Sequence, residues 1–156
     1  MPALADALSR WAGIESGGDA SALSSLGERG LLQAGKQTVS EGGMSQADWD
    51  EYGQADGLPN TQASLSSKYA AWLFSRAAKH LDSPPTDPID EVWFAYQYHQ
   101  RPKDFTQWGK LPSKASDASS YLTARGKANS DPNLIKRVNA SDIVAWGRPN
   151  DYTGLV

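Results

Sequence analysis

The sequence predicts a mainly α-helical, single-domain fold with at most a small β hairpin, and three observations carry that prediction. Apolar residues recur at helical spacing in two stretches, from Leu4 to Trp11 and from Leu65 to Ala77. Asp87-Pro88 and Asp131-Pro132 each combine a helix cap with a first-turn proline. Strand patterns are weak along the whole chain, and only Lys36 to Gly43 leaves room for a hairpin. At 156 residues the chain has the length of one domain and can bury a core without staples. The residues of chemical interest fall within about 3–125, and a helical extension is expected over about 131–156.

In order, the first helix spans Ala3 to Ile14 and buries Leu4, Leu8 and Trp11. Ser16-Gly17-Gly18 ends it, because glycine takes the left-handed conformation that closes a helix. Ser16 to Ser25, rich in Gly, Ser and Asp, reads as loop. Gly27 and Gly30 bracket a tight entry into a short second helix carrying Leu31, Leu32 and Gln33. After a break at Glu41-Gly42-Gly43, Ser45 caps a short helix reaching about Tyr52, with Asp48 as the acid of a capping box. The longest helical pattern, Thr61 to Leu81, carries Leu65, Tyr69, Trp72, Leu73, Arg76, Ala77 and His80 in register and is the expected scaffold. His80 lies where a cation complements the helix dipole. Asp82 to Thr86 is a stiff connector. Asp87-Pro88 opens a helix from Ile89 to about Gln100 that stops before Pro102. Lys103 to Trp108 forms a short helical piece, and Ser113 to Arg125 a further helix containing Tyr121. Asp131-Pro132 leads into Leu134, Ile135 and Val138; Ser141-Asp142 starts a last turn that buries Ile143, Val144 and Trp146.

The stretch with chemical character lies between Ile14 and Gln33. Leu4, Leu8, Trp11 and Glu15 follow at steps of four, three and four, so Glu15 continues the apolar face of the first helix. Its place at the helix C-terminus sets it at the negative end of the dipole. Partial burial and a negative helix end both disfavour ionisation, which keeps a carboxyl protonated toward neutral pH, as a general acid requires. Spacing alone leaves two other placements open: an acid turned to solvent, or a buried acid paired with a base such as Arg29. Asp48, Asp50, Glu51 and Asp56 offer a second carboxylate that could face Glu15 across a cleft.

Glu15-Ser16, then Asp19-Ala20-Ser21-Ala22-Leu23-Ser24, then Gly27-Glu28-Arg29-Gly30-Leu31-Leu32-Gln33 together resemble the catalytic core of soluble-type lytic transglycosylases, relatives of goose-type lysozymes. That family's pattern is Glu-Ser at a helix end, a loop of the form Asn-Pro-x-Ala-x-Ser, and Gly-x-x-Gly-Leu-Met-Gln. The separation from Glu15 to Gln33 fits without a gap; Ala20 stands for the proline and Leu32 for the methionine. Further on, the family has Ala-Tyr-Asn-Ala-Gly. Ala95-Tyr96 match it, Gln97 stands for the Asn, and Tyr98-His99 replace the Ala-Gly. The resemblance implies a lysozyme-like helical fold with a substrate cleft and Glu15 as the catalytic residue. It implies Ser16, Gln33, Tyr96 and Gln97 as substrate-binding residues, and Tyr121 as the tyrosine of that site that orients Glu15. Read without the resemblance, Tyr96 and Tyr121 are core aromatics and Gln33 is a solvated helix residue.

The implied substrate is the glycan strand of peptidoglycan, cut between N-acetylmuramic acid and N-acetylglucosamine. Glu15 donates its proton to the glycosidic oxygen, general acid help worth roughly 10²–10⁴-fold. The substrate's N-acetyl group stabilises the oxocarbenium-like centre. Ionised Glu15 then takes the proton of the muramic acid C6 hydroxyl as a 1,6-anhydro ring closes. The resemblance implies no cofactor and no metal. One alternative is hydrolysis on the same scaffold, with a second acid positioning water. Another, motivated by Tyr98-His99, is a module that binds peptidoglycan or builds a phage or secretion assembly without cutting. If the match from Glu15 to Gln33 is coincidental, the chain is a helical interaction protein.

Composition narrows the remaining classes. There is no cysteine, hence no disulfide framework or thiolate metal site, and His80 and His99 are the only histidines. A formal net charge of −3 lacks the basic excess of nucleic-acid binders. No apolar run reaches the length of a membrane span. Six Trp and six Tyr suit a sugar-binding surface, although core packing is the commoner use of aromatics. Met1 to Arg10 lacks a charged region followed by an apolar block and does not read as a secretory signal. The expected workplace is the periplasm or cell wall, reached in a phage particle, through a secretion machine or holin, or as a domain of a larger enzyme. The expected state is a monomer.

Overall fold

The computed structural model describes residues 2–54, 59–107 and 109–128. Asp56, Trp108 and the expected extension over 131–156 lie outside the described residues. Seven helices account for most of what is described: α1 (Pro2–Ser16), α2 (Gln37–Ser40), α3 (Gln46–Glu51), α4 (Pro59–Ala78), α5 (Pro88–Gln100), α6 (Lys103–Gln107) and α7 (Ala115–Ala128). Extended pairing among the described residues is limited to bridges between Leu23 and Arg29, Arg29 and Ala34, and Leu81 and Leu111. The fold is mainly α, as the helical patterning predicts.

Two local expectations are corrected. The stretch from Lys36 to Gly43 carries α2 and not a hairpin: the Glu41 amide donates to the Gln37 carbonyl at 2.9 Å, and the Gly43 amide to Thr38 at 2.7 Å. Leu31 to Gln33 form a turn and not a helix. The Gln33 amide donates to the Gly30 carbonyl at 3.1 Å, and Gln33 itself has φ 54°, a left-handed value that no continuing right-handed helix accepts.

The described residues fall into two compact units that divide between Trp72 and Leu73, within α4. In the first unit, α1 buries Leu8 and Trp11, 2% and 0% exposed, as the apolar stripe predicts for these two; the side chain of Leu4 lies outside the described residues. Leu32, Trp49, Tyr52, Leu65 and Tyr69 are buried as well. Each large apolar side chain so enclosed is worth about 1.5–3 kcal/mol. Ser45 caps α3 by accepting from the Asp48 amide at 3.0 Å, as expected.

In the second unit, Asp87 caps α5 by accepting from the Ile89 amide at 2.9 Å, with Pro88 in the first turn. Every residue from Val92 to Gln97 is buried, so this helix is enclosed on all sides and shows little amphipathic period. Phe105 of α6 fills the space beside it. Its ring lies 6.4 Å from Phe94, 5.3 Å from Tyr98 and 6.4 Å from His80. Asp90 of α5 accepts from the Ala115 amide at 3.1 Å and so caps α7 from a neighbouring helix. Burial raises the Asp90 carboxyl above its ordinary pKa.

Candidate functional site

Glu15 is the penultimate residue of α1 and half-buried. The helix closes behind it as the sequence predicts. Gly17 and Gly18 adopt φ values of 63° and 85°, and the Gly17 amide donates to the Gly13 carbonyl at 3.1 Å. Ser16 completes the closure. Its hydroxyl donates to the Ala12 carbonyl at 2.9 Å and accepts from the Gly18 amide at 3.3 Å. The hydroxyl assigned to the substrate site thus also satisfies backbone groups of the helix end.

The loop that follows is held by its own polar side chains. Asp19 accepts from the Ser21 amide at 2.9 Å and the Ser21 hydroxyl at 2.7 Å, and the hydroxyl contact is the main reason its carboxyl lies below the usual range. Ser24 and Glu28 clasp each other: the Ser24 amide donates to the Glu28 carbonyl at 2.8 Å, the Glu28 amide to Ser24 Oγ at 3.1 Å, and Ser24 Oγ to Glu28 Oε1 at 3.3 Å. Gln33 is 6% exposed, and its amide nitrogen donates to the carbonyls of Ala22 at 3.1 Å and Gly30 at 3.0 Å. Gln33 therefore ties the start of the loop to its final turn, and is not a solvated helix residue. Arg29, the base that spacing offered to Glu15, lays its guanidinium 4.3 Å from the Trp49 ring centroid and donates to the Trp49 carbonyl at 3.2 Å.

The motif turn is fastened to α4 through buried polar groups, of which the sequence analysis named Tyr69 and missed Gln62 and Ser66. Gln62, Ser66 and Tyr69 recur on one face of α4 and are 0%, 0% and 3% exposed. Gln62 accepts from the Gly53 amide at 3.0 Å and donates to the Glu51 carbonyl at 2.9 Å. Ser66 shares a hydrogen bond of 2.9 Å with the Tyr52 hydroxyl, which accepts from the Leu32 amide at 3.0 Å. Burial pushes the Tyr52 hydroxyl up to about 12. Tyr69 is hydrogen-bonded to the Thr38 side chain. The available signal was a set of polar residues interrupting an apolar helix stripe at helical spacing.

Tyr69 is also where Glu15 meets its electrostatic surroundings. Burial is the main reason its hydroxyl is held far above the ordinary tyrosine range; the charges of Tyr52, Glu28 and Glu15 add to that, in this order. Two carboxylates thus act on one enclosed hydroxyl. Glu28 was not among the acids considered as a second carboxylate. Of those that were, Asp50 is exposed and accepts from Gln46 at 2.8 Å.

The remaining sequence-predicted residues belong to the second unit. Tyr96 and Gln97 lie on α5, 5% and 2% exposed, and Tyr121 is half-buried on α7. Glu15, Ser16 and Gln33 belong to the first unit. Desolvation by burial lowers His99 to about 4. His80 is also lowered, first by burial and then by Lys110 and Lys79, the opposite of the shift a helix C-terminus alone produces. Among the described residues no group of three or more His, Cys, Asp and Glu could hold a metal ion, and no helix is long and apolar enough to cross a membrane. Compared with known proteins, the chain matches no protein-family model, no curated protein and no solved structure.

Proposed function

We propose that this chain cleaves the glycan strands of peptidoglycan as a lytic transglycosylase, with Glu15 as general acid and then general base. The observation that carries the reading is the setting of Glu15: half-buried on the last turn of α1, before two left-handed glycines. With it goes the unbroken spacing to Gln33, whose amide closes the loop on itself. A half-buried carboxyl at the negative end of a helix sits in a setting that disfavours the charged form. It therefore suits proton donation to a glycosidic oxygen. After bond cleavage the carboxylate takes the C6 hydroxyl proton, and the anhydro ring forms without water. Ser16 and Gln33, which share the first unit with Glu15, are the proposed sugar-contacting residues, the substrate peptidoglycan in the periplasm or wall.

A second reading, hydrolysis, draws on Glu28. Its charge, like that of Glu15, bears on the Tyr69 hydroxyl, and hydrolysis calls on a second acid to position water. The test of either reading is release of muropeptides from insoluble peptidoglycan. The parent protein is expected to release them, and Glu15→Gln to lose at least about 10²-fold in rate. A substituted protein as active as the parent removes Glu15 from the mechanism.

A further inference from the structure

Arg29 is fixed along its whole length. Its amide donates to the Ala34 carbonyl at 3.1 Å and its carbonyl accepts from the Ala34 amide at 2.9 Å. Its aliphatic stem runs against Gly53, where an added Cβ would stand 2.9 Å from Arg29 Cβ. The guanidinium lies on the Trp49 ring and donates through Nη1 to the Trp49 carbonyl. Its charge is nevertheless unanswered. No carboxylate among the described residues pairs with it, and its Nε is buried without an acceptor. Glu28, next in the chain, is engaged by the Ser24 hydroxyl. A half-buried cation left in this way costs free energy that an arriving anion offsets. Leu23 stands beside it. The Ser24 amide donates to the Glu28 carbonyl at 2.8 Å and the Gly30 amide to the Ala22 carbonyl at 3.0 Å. These bonds make Leu23 and Arg29 an antiparallel pair without hydrogen bonds of its own. Side chains opposed in such a pair share a face, with Cβ atoms about 4.5–5.5 Å apart. Leu23 is 69% exposed, and Leu26, three residues on in the same loop, is 77% exposed.

We propose that Arg29 and Leu23 form a docking surface for the peptide stem of peptidoglycan, with Arg29 taking a stem carboxylate and Leu23 the methyl groups of the stem alanines. The inference rests on reading peptidoglycan as the substrate. A guanidinium presents a planar fork that fits a carboxylate, and one already stacked on a ring loses little freedom when it binds. Neutral sugar hydroxyls do not call for an unpaired cation with an exposed aliphatic neighbour. A short peptide that carries carboxylates and small apolar side chains does. The lactyl group of muramic acid is a second source of the same carboxylate chemistry where no peptide is attached to it, and the ligands below separate the two.

The test is calorimetric titration of the full chain, as parent, Arg29→Gln and Leu23→Ser, with three ligands too short to be cut. These are a disaccharide-tetrapeptide, the same molecule with its carboxyls amidated, and the peptide-free disaccharide with its lactyl carboxylate. The parent is expected to bind the amidated and the peptide-free ligands about tenfold more weakly than the free tetrapeptide form. Arg29→Gln is expected to bind the free and amidated forms equally, a loss of discrimination that a merely structural role of Arg29 does not produce. Leu23→Ser, a change at an exposed side chain, is expected to weaken both tetrapeptide forms about threefold and to leave the peptide-free disaccharide unchanged. Equal binding of the free and amidated forms by the parent overturns the proposal, as does discrimination that survives Arg29→Gln, or no binding of any ligand. A peptide-free disaccharide bound as tightly as the tetrapeptide form gives Arg29 to the lactyl group and overturns the stem assignment. If Arg29→Gln does not fold, the three ligands on the parent and on Leu23→Ser decide the question. Muropeptide release from insoluble peptidoglycan is scored separately. Release without discrimination removes this inference alone, and discrimination without release removes the enzymatic reading alone.

Discussion

Gly30 and Gly17 lie in the same motif stretch and both have positive φ, 80° and 63°, yet they are held for different reasons. A Cβ on Gly30 would stand 2.2 Å from Tyr52 Cε1, whereas one on Gly17 meets nothing within 4 Å. Gly17→Ala therefore carries backbone strain alone, about 1–2 kcal/mol. Gly30→Ala adds a ring clash in a close-packed interior, and the expected loss is about 3 kcal/mol or more. Urea denaturation of the two variants checks the order; equal losses would mean that Tyr52 moves aside freely. At this scale the placement of Glu15 was legible, because the stripe of Leu8 and Trp11 runs on through the helix end. The part played by Gln33 was not. It depends on a left-handed turn and on a carbonyl 11 residues away, at Ala22, and neither leaves a periodic trace.

Among the elements, α4 was found from its apolar register, but its buried polar face was not. Gln62 and Ser66 lie outside that apolar register, and their role follows only from Tyr52, Leu32 and Gly53 being brought against them. Tyr52→Phe leaves the Leu32 amide without its acceptor and Ser66 without its partner, at an expected cost of about 1–3 kcal/mol. In a double-mutant cycle with Ser66→Ala, the coupling is expected to be about 1 kcal/mol. Additive losses in chemical denaturation would show that the two hydroxyls do not act together. The capping residues Ser45 and Asp87 were legible because a cap is a local device. The turn of helix at α2 was not, since a segment of 4 residues is too short for its period to distinguish helix from hairpin. In α5 the run from Val92 to Gln97 is buried throughout, so composition and the Asp87-Pro88 start, not amphipathicity, mark it as a helix.

Across the whole molecule, the division within α4 leaves no mark in the sequence, because the helical pattern runs unbroken through Trp72 and Leu73. The pH response of the fold is similarly invisible until burial is known. His99 has an ordinary pKa of 6.5 in the unfolded chain and about 4 when folded. Between these values the unfolded state binds a proton that the folded state does not. Stability is therefore present above about pH 6.5 and lost as pH falls toward 4, on the order of 3 kcal/mol in all. Denaturation midpoints measured across that window should fall with pH in the parent and fall less in His99→Gln. Parallel slopes would remove His99 as the cause.

The central claim is that one half-buried carboxyl on α1 works in glycan cleavage. The most direct measurement is mass spectrometry of the soluble products after insoluble peptidoglycan is incubated with the parent and with Glu15→Gln side by side. The account predicts muropeptides from the parent alone, with anhydro ends one water lighter than hydrolytic ones. Identical fragments from both proteins, or none from a folded parent, would contradict it.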